Sequence, residues 1–190
     1  MTKKITSIPA ASRTFGALSD LGYDFNSAIA DIVDNSLTQG QSNNIHILFF
    51  PNDQGKFKIR IIDDGIGMTE TKLEEAMRLG GGNHEYSIGN LSKYGFGMKT
   101  ASLSQCRKLT VLSKTNKTNI SAFTWDMNHV KTSNKWELLK NEAYEIMAYE
   151  KTLIGELANG FENKNVTQLL SLDQFTAVVW DDLYNFQSNF

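Results

Sequence analysis

The length, 190 residues, is enough for one domain with its own core, and the formal net charge of −2 gives no global basic field of the kind that indicates nucleic acid. Because the chain has one cysteine, Cys106, an internal disulfide framework is excluded and a reducing compartment is expected. The sequence contains neither a signal-peptide h-region nor an apolar run of membrane-spanning length, so we expect a cytoplasmic domain without a membrane partner.

The first part of the chain predicts helices around a hairpin. Helices are expected over Phe15–Leu21 and Asp24–Gln39, the second with Asp24 as its N-cap and apolar residues at helical spacing. Two strands, Asn44–Phe50 and Lys56–Asp63, flank the turn sequence PNDQG, which predicts an antiparallel hairpin. A further helix is expected over Thr69–Leu79, with Thr69 as its cap.

The second part is rich in glycine and then in strands. Six of the eight glycines from Gly65 to Gly97 lie in LGGGNHEYSIGNLSKYGFGM, which excludes regular structure throughout that segment. A helix is expected over Thr100–Gln105, and residues 140–173 predict a helix with loops. Strands are expected at Lys108–Lys114, Ser121–Met127, Lys135–Leu139 and Phe175–Trp180. No terminating pattern closes the sequence, so we expect 1–190 to be a single domain from the N-terminal part of a longer protein.

The run ADIVDNS, residues 30–36, places polar side chains in a segment whose other members are largely apolar. On a helix, Asp31 and Asn35 lie on one side at the margin of the apolar stripe, while Asp34 points outward. A carboxylate and an amide oxygen suit a hard cation, and the carboxylate can serve as a general base. A solvated helix edge explains the same residues.

The run IIDDGIGM, residues 61–68, predicts a strand that ends in a glycine loop. Glycine at positions 65 and 67 lets the backbone approach a flat ligand closely or adopt positive φ. The Asp63 carboxylate beside such a loop can accept a hydrogen bond from an exocyclic amine such as that of adenine. An ordinary strand-to-helix turn is the alternative.

The run KYGFGMKTAS, residues 93–102, places two glycines before a helix that starts near Lys99. Backbone N–H groups at a helix start form an anion site, and Lys99 adds a positive charge for phosphate. Met98 lies between Gly97 and Lys99, so the spacing is not that of a P-loop. A flexible loop before a helix explains the pattern equally well.

In this order, D-x-x-D-N, D-x-G-x-G and G-x-G-x-K resemble the three motifs of the GHKL ATPase superfamily, which includes DNA gyrase, heat-shock chaperones, histidine kinases, MutL and the MORC proteins. The resemblance covers roughly residues 13–180 and is closest to bacterial MORC-like and chaperone-like ATPases. It implies the Bergerat fold, an α+β two-layer sandwich whose mixed, mostly antiparallel sheet is covered on one face by helices.

The resemblance also implies a function for the chain. The cofactors that it implies are ATP and Mg²⁺, and slow hydrolysis of ATP to ADP would drive a conformational switch. Its expected partners are a second copy of the chain, in a nucleotide-dependent homodimer, and a downstream domain of the same protein.

Each matching position takes a role from the family. Asn35 matches the asparagine that binds magnesium, and Asp31 matches the glutamate that activates the attacking water, with one methylene fewer. Asp63 matches the aspartate that binds the adenine amine. The other nucleotide-binding positions are the base-lining Gly65, Gly67 and Met68, the lid residues Gly80, Gly81, Gly82 and Asn83, the phosphate-side Gly95, Phe96, Gly97, Met98, Lys99 and Thr100, and Thr176, which resembles the threonine beside the adenine-binding aspartate.

Two other function classes stay open. A histidine-kinase-type catalytic domain shares the fold, but such kinases typically carry an upstream phospho-accepting helix bundle, and the first predicted helix starts at Phe15. A nucleotide-binding or interaction module without hydrolysis is favoured by the aspartate at position 31. The remaining notable side chains are expected to be structural, with Cys106 buried and inert and Trp125, Trp136 and Trp180 in the core.

Overall fold

A computed structural model describes residues 9–19, 23–51, 57–79, 97–143, 145–149, 151, 155 and 172–184. Its helices are α1 (Ala11–Ser19), α2 (Phe25–Thr38), α3 (Glu70–Met77), α4 (Gly97–Gln105) and α5 (Met127–Ser133), and residues 145–149 are also helical. Its strands are β1 (Ile45–Pro51), β2 (Phe57–Asp63), β3 (Cys106–Lys114), β4 (Ser121–Asp126), β5 (Leu139–Lys140) and β6 (Phe175–Leu183).

Side-chain caps start α2 and α3 where the sequence predicts them, whereas the predicted first helix, Phe15–Leu21, was wrong in its bounds, since α1 spans Ala11–Ser19. The Asp24 carboxylate accepts from the Ser27 N–H at 3.0 Å at the start of α2. The Thr69 hydroxyl accepts from the Lys72 N–H at 3.4 Å at the start of α3. Both caps are confirmed, and they fix the points at which the two helices leave the neighbouring loops.

One helix was not predicted. Asp126 ends β4 and accepts from the N–H groups of Asn128 (2.8 Å) and His129 (3.2 Å), so it caps α5. Asn134 closes that helix with φ 51 in the left-handed region. The predicted strand Lys135–Leu139 was wrong in its bounds, because residues 135–138 form no strand and only Leu139 and Lys140 pair with β4, as β5.

The strands form one six-stranded sheet in the order β1-β2-β6-β3-β4-β5, and all pairings among the described strands are antiparallel. The predicted hairpin is confirmed, with Ile45 opposite Asp63. The late strand β6 is inserted between β2 and β3. This insertion brings the start of β6 beside the ends of β2 and β3, which carry the polar residues described below.

Alternation along the strands gives the sheet two apolar faces. Ile59, Ile61 and Val111 lie on the face that packs against α1 to α5, whereas Ile62 and Leu112 lie on the opposite face. Ile146 and Tyr149 pack on that opposite cluster. The α+β fold with helices on one face is therefore confirmed, and the second face also carries an apolar layer.

The tryptophans do not all lie in the core. Trp125 and Trp180 are buried, as predicted. Trp136 is 37% exposed, and the prediction that it is a core residue was wrong. Its ring packs 5.0 Å from that of Phe15, and its indole N–H donates to the Pro9 carbonyl at 3.2 Å. Trp136 therefore covers the start of α1 from the outside.

Candidate functional site

Three polar residues form a row across the helix-covered face of the sheet. Asp63 at the end of β2 pairs with Thr176 on β6, and Thr176 pairs with Ser113 on β3. Residues directly opposite each other in antiparallel strands project to the same side of a sheet. The Thr176 and Ser113 hydroxyl oxygens are 2.9 Å apart. The predicted neighbourhood of Thr176 and Asp63 is therefore observed, and Ser113 extends it.

Asp63 is a buried carboxylate with hydrogen-bond donors on both oxygens. It is 4% exposed, its Oδ1 accepts from the Gly65 N–H at 3.0 Å, and its Oδ2 accepts from the Ser36 hydroxyl at 2.8 Å. Burial raises the pKa of Asp63, and hydrogen bonds from Ser36, Gly65 and Ser42 oppose that rise. Since a carboxylate offers about four acceptor positions, Asp63 can still accept from a ligand N–H.

The glycine loop after β2 packs tightly against the protein itself. Gly67 has φ +65, and a Cβ there would lie 1.9 Å from the Lys114 carbonyl oxygen. A Cβ on Gly65 would lie 2.4 Å from the Gly40 carbonyl oxygen. Close packing within the protein therefore explains why both positions are glycine, without reference to a ligand. The loop is also held by Met68, whose N–H donates to the Ser113 hydroxyl at 2.8 Å.

Helix α2 carries the predicted metal ligand and the predicted base beside this row. Ser36, which binds Asp63, directly follows Asn35 in the chain. Asn35 is half-buried, and its amide oxygen accepts from the Gln39 side-chain N–H at 3.1 Å, which leaves one lone pair for a cation. Asp31, one turn earlier, is also half-buried.

Tyr23 is hydrogen-bonded to Asp31. Burial raises the pKa of the Tyr23 phenol, and the negative charge of Asp31 and its hydrogen bond raise it further. A phenol that stays protonated is a donor, so Tyr23 holds one acceptor position of the Asp31 carboxylate.

Helix α4 begins at Gly97 and buries its lysine. Lys99 is 2% exposed, and its Nζ donates to the Ala76 carbonyl at 2.6 Å, near the end of α3. Burial lowers the pKa of Lys99 to about 8. Met98 packs on the core, and the Thr100 hydroxyl donates to the Gly97 carbonyl at 3.1 Å. The other glycine-segment positions, Gly80 to Asn83 with Gly81 and Gly82, and Gly95 and Phe96, lie outside the described residues.

A separate apolar groove lies on the other side of α2. It has a volume of about 430 Å³ and runs between α2 and β1, lined by residues that include Phe25, Ile29, Val33, Ile47 and Phe49. None of the predicted site residues that the structure describes lines it. The groove is therefore distinct from the polar row at Asp63.

A family model for histidine kinase-, DNA gyrase B- and HSP90-like ATPases matches residues 23–158. The chain belongs to this family. The match spans the first and second motifs, the glycine segment and α4, and it confirms the GHKL interpretation. No curated protein matches the sequence. The particular closeness to MORC-like ATPases stays a prediction.

Membership in this ATPase family supports ATP binding at the level of the family. The described residues contain no group of three or more His, Cys, Asp and Glu side chains that could hold a metal ion. A magnesium ion here would therefore need Asn35 together with water and phosphate oxygens, which is a donor set that Mg²⁺ accepts. No helix in the described ranges has the length and apolar character needed to cross a membrane.

Two site residues were missed by sequence reasoning. Ser36 follows Asn35 at the end of ADIVDNS, and its place on the buried face of α2 was available from helical spacing. Ser113 left a weaker signal, since it is one of several polar residues in β3 and nothing near it in the sequence singles it out. Its partner strand β6 comes much later in the chain, since Phe175 is 62 positions after Ser113.

Proposed function

We propose that this domain binds ATP with magnesium, hydrolyses it slowly and acts as a nucleotide-driven conformational switch. The observation that carries the proposal is the buried carboxylate of Asp63, which has acceptor capacity left and lies beside Thr176 in a member of an ATPase family. The switch would act through a nucleotide-dependent homodimer and a downstream domain.

The base would lie over the polar row. The exocyclic amine of adenine would donate to Asp63, whose carboxylate is already held by Ser36 and Gly65 and therefore needs little reorganisation. Ionised Asp63 accepts but cannot donate, so it favours an amine over a carbonyl at this point. Because burial raises the pKa of Asp63, affinity for ATP is expected to fall as the pH is lowered through that raised pKa.

The phosphates would lie toward Asn35 and the start of α4, which packs beside α2. The amide oxygen of Asn35 has a lone pair for magnesium, and the ion would supply positive charge that screens the phosphate oxygens. Asp31 would take the proton of the attacking water. Tyr23 donates to the Asp31 carboxylate and holds it in one orientation.

A nucleotide-binding module without hydrolysis is the second candidate. Two observations favour it: Asp31 is one methylene shorter than the family's glutamate, and Tyr23 already occupies part of its carboxylate. Catalytic groups tolerate a misplacement of about 1 Å poorly. The binding proposal does not depend on Asp31, so substitution of Asp31 distinguishes an ATPase from a module that only binds the nucleotide.

Calorimetry with ATP, with and without magnesium, tests the binding proposal. We expect a dissociation constant in the micromolar to millimolar range, that is, on the order of −4 to −8 kcal/mol. Asp63→Asn should abolish binding, whereas Asp34→Asn, on the exposed side of α2, should leave it unchanged. A wild-type protein that does not bind ATP, or an Asp63→Asn variant that binds normally, would contradict the proposal.

A steady-state phosphate-release assay then separates the two candidates. Magnesium-dependent release that disappears in Asp31→Ala supports the ATPase. Tight ATP binding with no release above the background of Asp31→Ala supports the silent binder.

A further inference from the structure

Ser113 connects three parts of the candidate site although it is fully buried. It is 0% exposed in β3. Its hydroxyl accepts from the Met68 N–H at 2.8 Å, donates to the Phe175 carbonyl at 3.0 Å and lies 2.9 Å from the Thr176 hydroxyl oxygen. It therefore ties the glycine loop and the start of β6 to β3 through one oxygen atom.

The hydrogen bonds around Ser113 determine whether the Thr176 hydroxyl donates to or accepts from a ligand. A serine hydroxyl has one proton and two lone pairs. Its proton goes to the Phe175 carbonyl, and the Met68 N–H occupies one lone pair. Either hydroxyl could donate across the Ser113–Thr176 contact, but the Ser113 proton is used on the Phe175 carbonyl, so we assign the donor role to Thr176. With that assignment every group in the cluster has a partner. The Thr176 oxygen is then left with lone pairs only toward the open side of the site.

Thr176 is the half-buried member of the pair and Ser113 the fully buried one. A ligand on the helix-covered face can therefore reach Thr176 but not Ser113. With the Thr176 proton turned inward, a ligand meets two neighbouring acceptors, the Asp63 carboxylate and the Thr176 oxygen, which lie opposite each other on β2 and β6.

We propose that Ser113 is a positioning residue for base recognition, because it fixes the Thr176 hydroxyl as a hydrogen-bond acceptor. Thr176 and Asp63 together then select a purine with an amino group at its six position over a purine with an oxo group there. The inference rests on the proposed ATP binding. An amine offers two N–H donors, directly or through a water, to the two acceptors. An oxo group in the same place would face their lone pairs and could pair with neither acceptor.

The comparison of ATP with inosine triphosphate tests this inference, because the two differ only in the amine or oxo group at the six position and the accompanying proton on the ring. Calorimetry measures both dissociation constants for each variant. The wild type should prefer ATP by about 10- to 100-fold, the range expected for leaving a buried acceptor unpaired.

Ser113→Ala should lower that preference by roughly tenfold, because the Thr176 hydroxyl then turns outward and donates. Thr110→Val is the matched control, since Thr110 is an equally buried hydroxyl of β3 whose partners are Thr124 and Tyr149 on the opposite face. It should leave the ATP-to-inosine-triphosphate ratio unchanged.

Thr176→Val supplies a second measurement if Ser113→Ala does not fold, because Thr176 is only half-buried. It should lower the preference by about the same factor, and the double variant should lose no more than either single variant.

The ratio of the two dissociation constants decides whether the inference about Ser113 holds. An unchanged ratio in Ser113→Ala or in Thr176→Val overturns the inference, even if both affinities fall in parallel, since a parallel fall means a structural role only. A wild type that binds both nucleotides equally overturns the inference while the proposed ATP binding stands. A wild type that binds neither nucleotide overturns both.

Discussion

Because the Lys99 ammonium is buried, we expect this domain to become more stable as the pH rises above about 8. The ammonium is 2% exposed, and burial is the only cause that lowers its pKa to about 8 from 10.5. Below about pH 8, the folded and unfolded chains both carry the proton, and the folded state bears the full cost of burying it. Between the two pKa values the folded state releases the proton first, so the free energy of unfolding rises with pH.

The magnitude follows from the two pKa values. The gap between about 8 and 10.5 corresponds to roughly 3 kcal/mol when it is fully expressed, and to about 2 kcal/mol between about pH 7 and pH 9.5. Lys99→Met removes this titration. It also removes the donor to the Ala76 carbonyl, at a cost of about 1–3 kcal/mol that does not vary with pH.

Urea unfolding followed by circular dichroism at several pH values measures the effect. The free energy of unfolding of the wild type should gain about 2 kcal/mol relative to Lys99→Met from about pH 7 to pH 9.5. Lys131→Met, at an exposed lysine of α5, should run parallel to the wild type. If the wild-type and Lys99→Met curves run parallel instead, the ammonium is not desolvated and the reasoning fails.

Three further predictions concern a base, a glycine and the cysteine. Asp31→Glu should raise ATP turnover by up to about 100-fold if the native base is too short, whereas Asp31→Ala with unchanged phosphate release would show that Asp31 is not the base. Gly67→Ala should lower the free energy of unfolding by roughly 2 kcal/mol or more, since the added Cβ would lie 1.9 Å from the carbonyl oxygen of residue 114. Gly16→Ala in α1, where an added Cβ meets nothing within 4 Å, should raise the free energy of unfolding by up to about 1 kcal/mol. Equal denaturation midpoints for the two variants would contradict this prediction. Cys106 is fully buried and its pKa is raised well above its usual value, so a chromogenic disulfide should react with it only after denaturation, and reaction with the native protein would contradict the observed burial.

Local chemistry in the sequence was enough for much of the fold. Asp24 and Thr69 cap helices with their own side chains, and the strands on either side of PNDQG pair antiparallel, as that turn sequence predicts. The signals for these features lie within a few residues of the features themselves, so they survive without tertiary context. The failures were also local. Asp126 is a cap inside a stretch of strand-forming residues, and β propensity concealed α5.

The sequence by itself supplied the candidate site residues: Asp31 and Asn35 come from the first of three short motifs and Asp63 from the second, and the order of the three motifs indicates the family. The tertiary structure alone decided which groups hold them. Ser36 reaches Asp63 only because α2 packs on the sheet, and Ser113 joins the row only because β6 enters between β2 and β3. It also decided that Lys99, a phosphate ligand by motif, donates to the end of α3. Burial and pairing between distant segments set these contacts, and a pattern of residue types along the chain does not contain them.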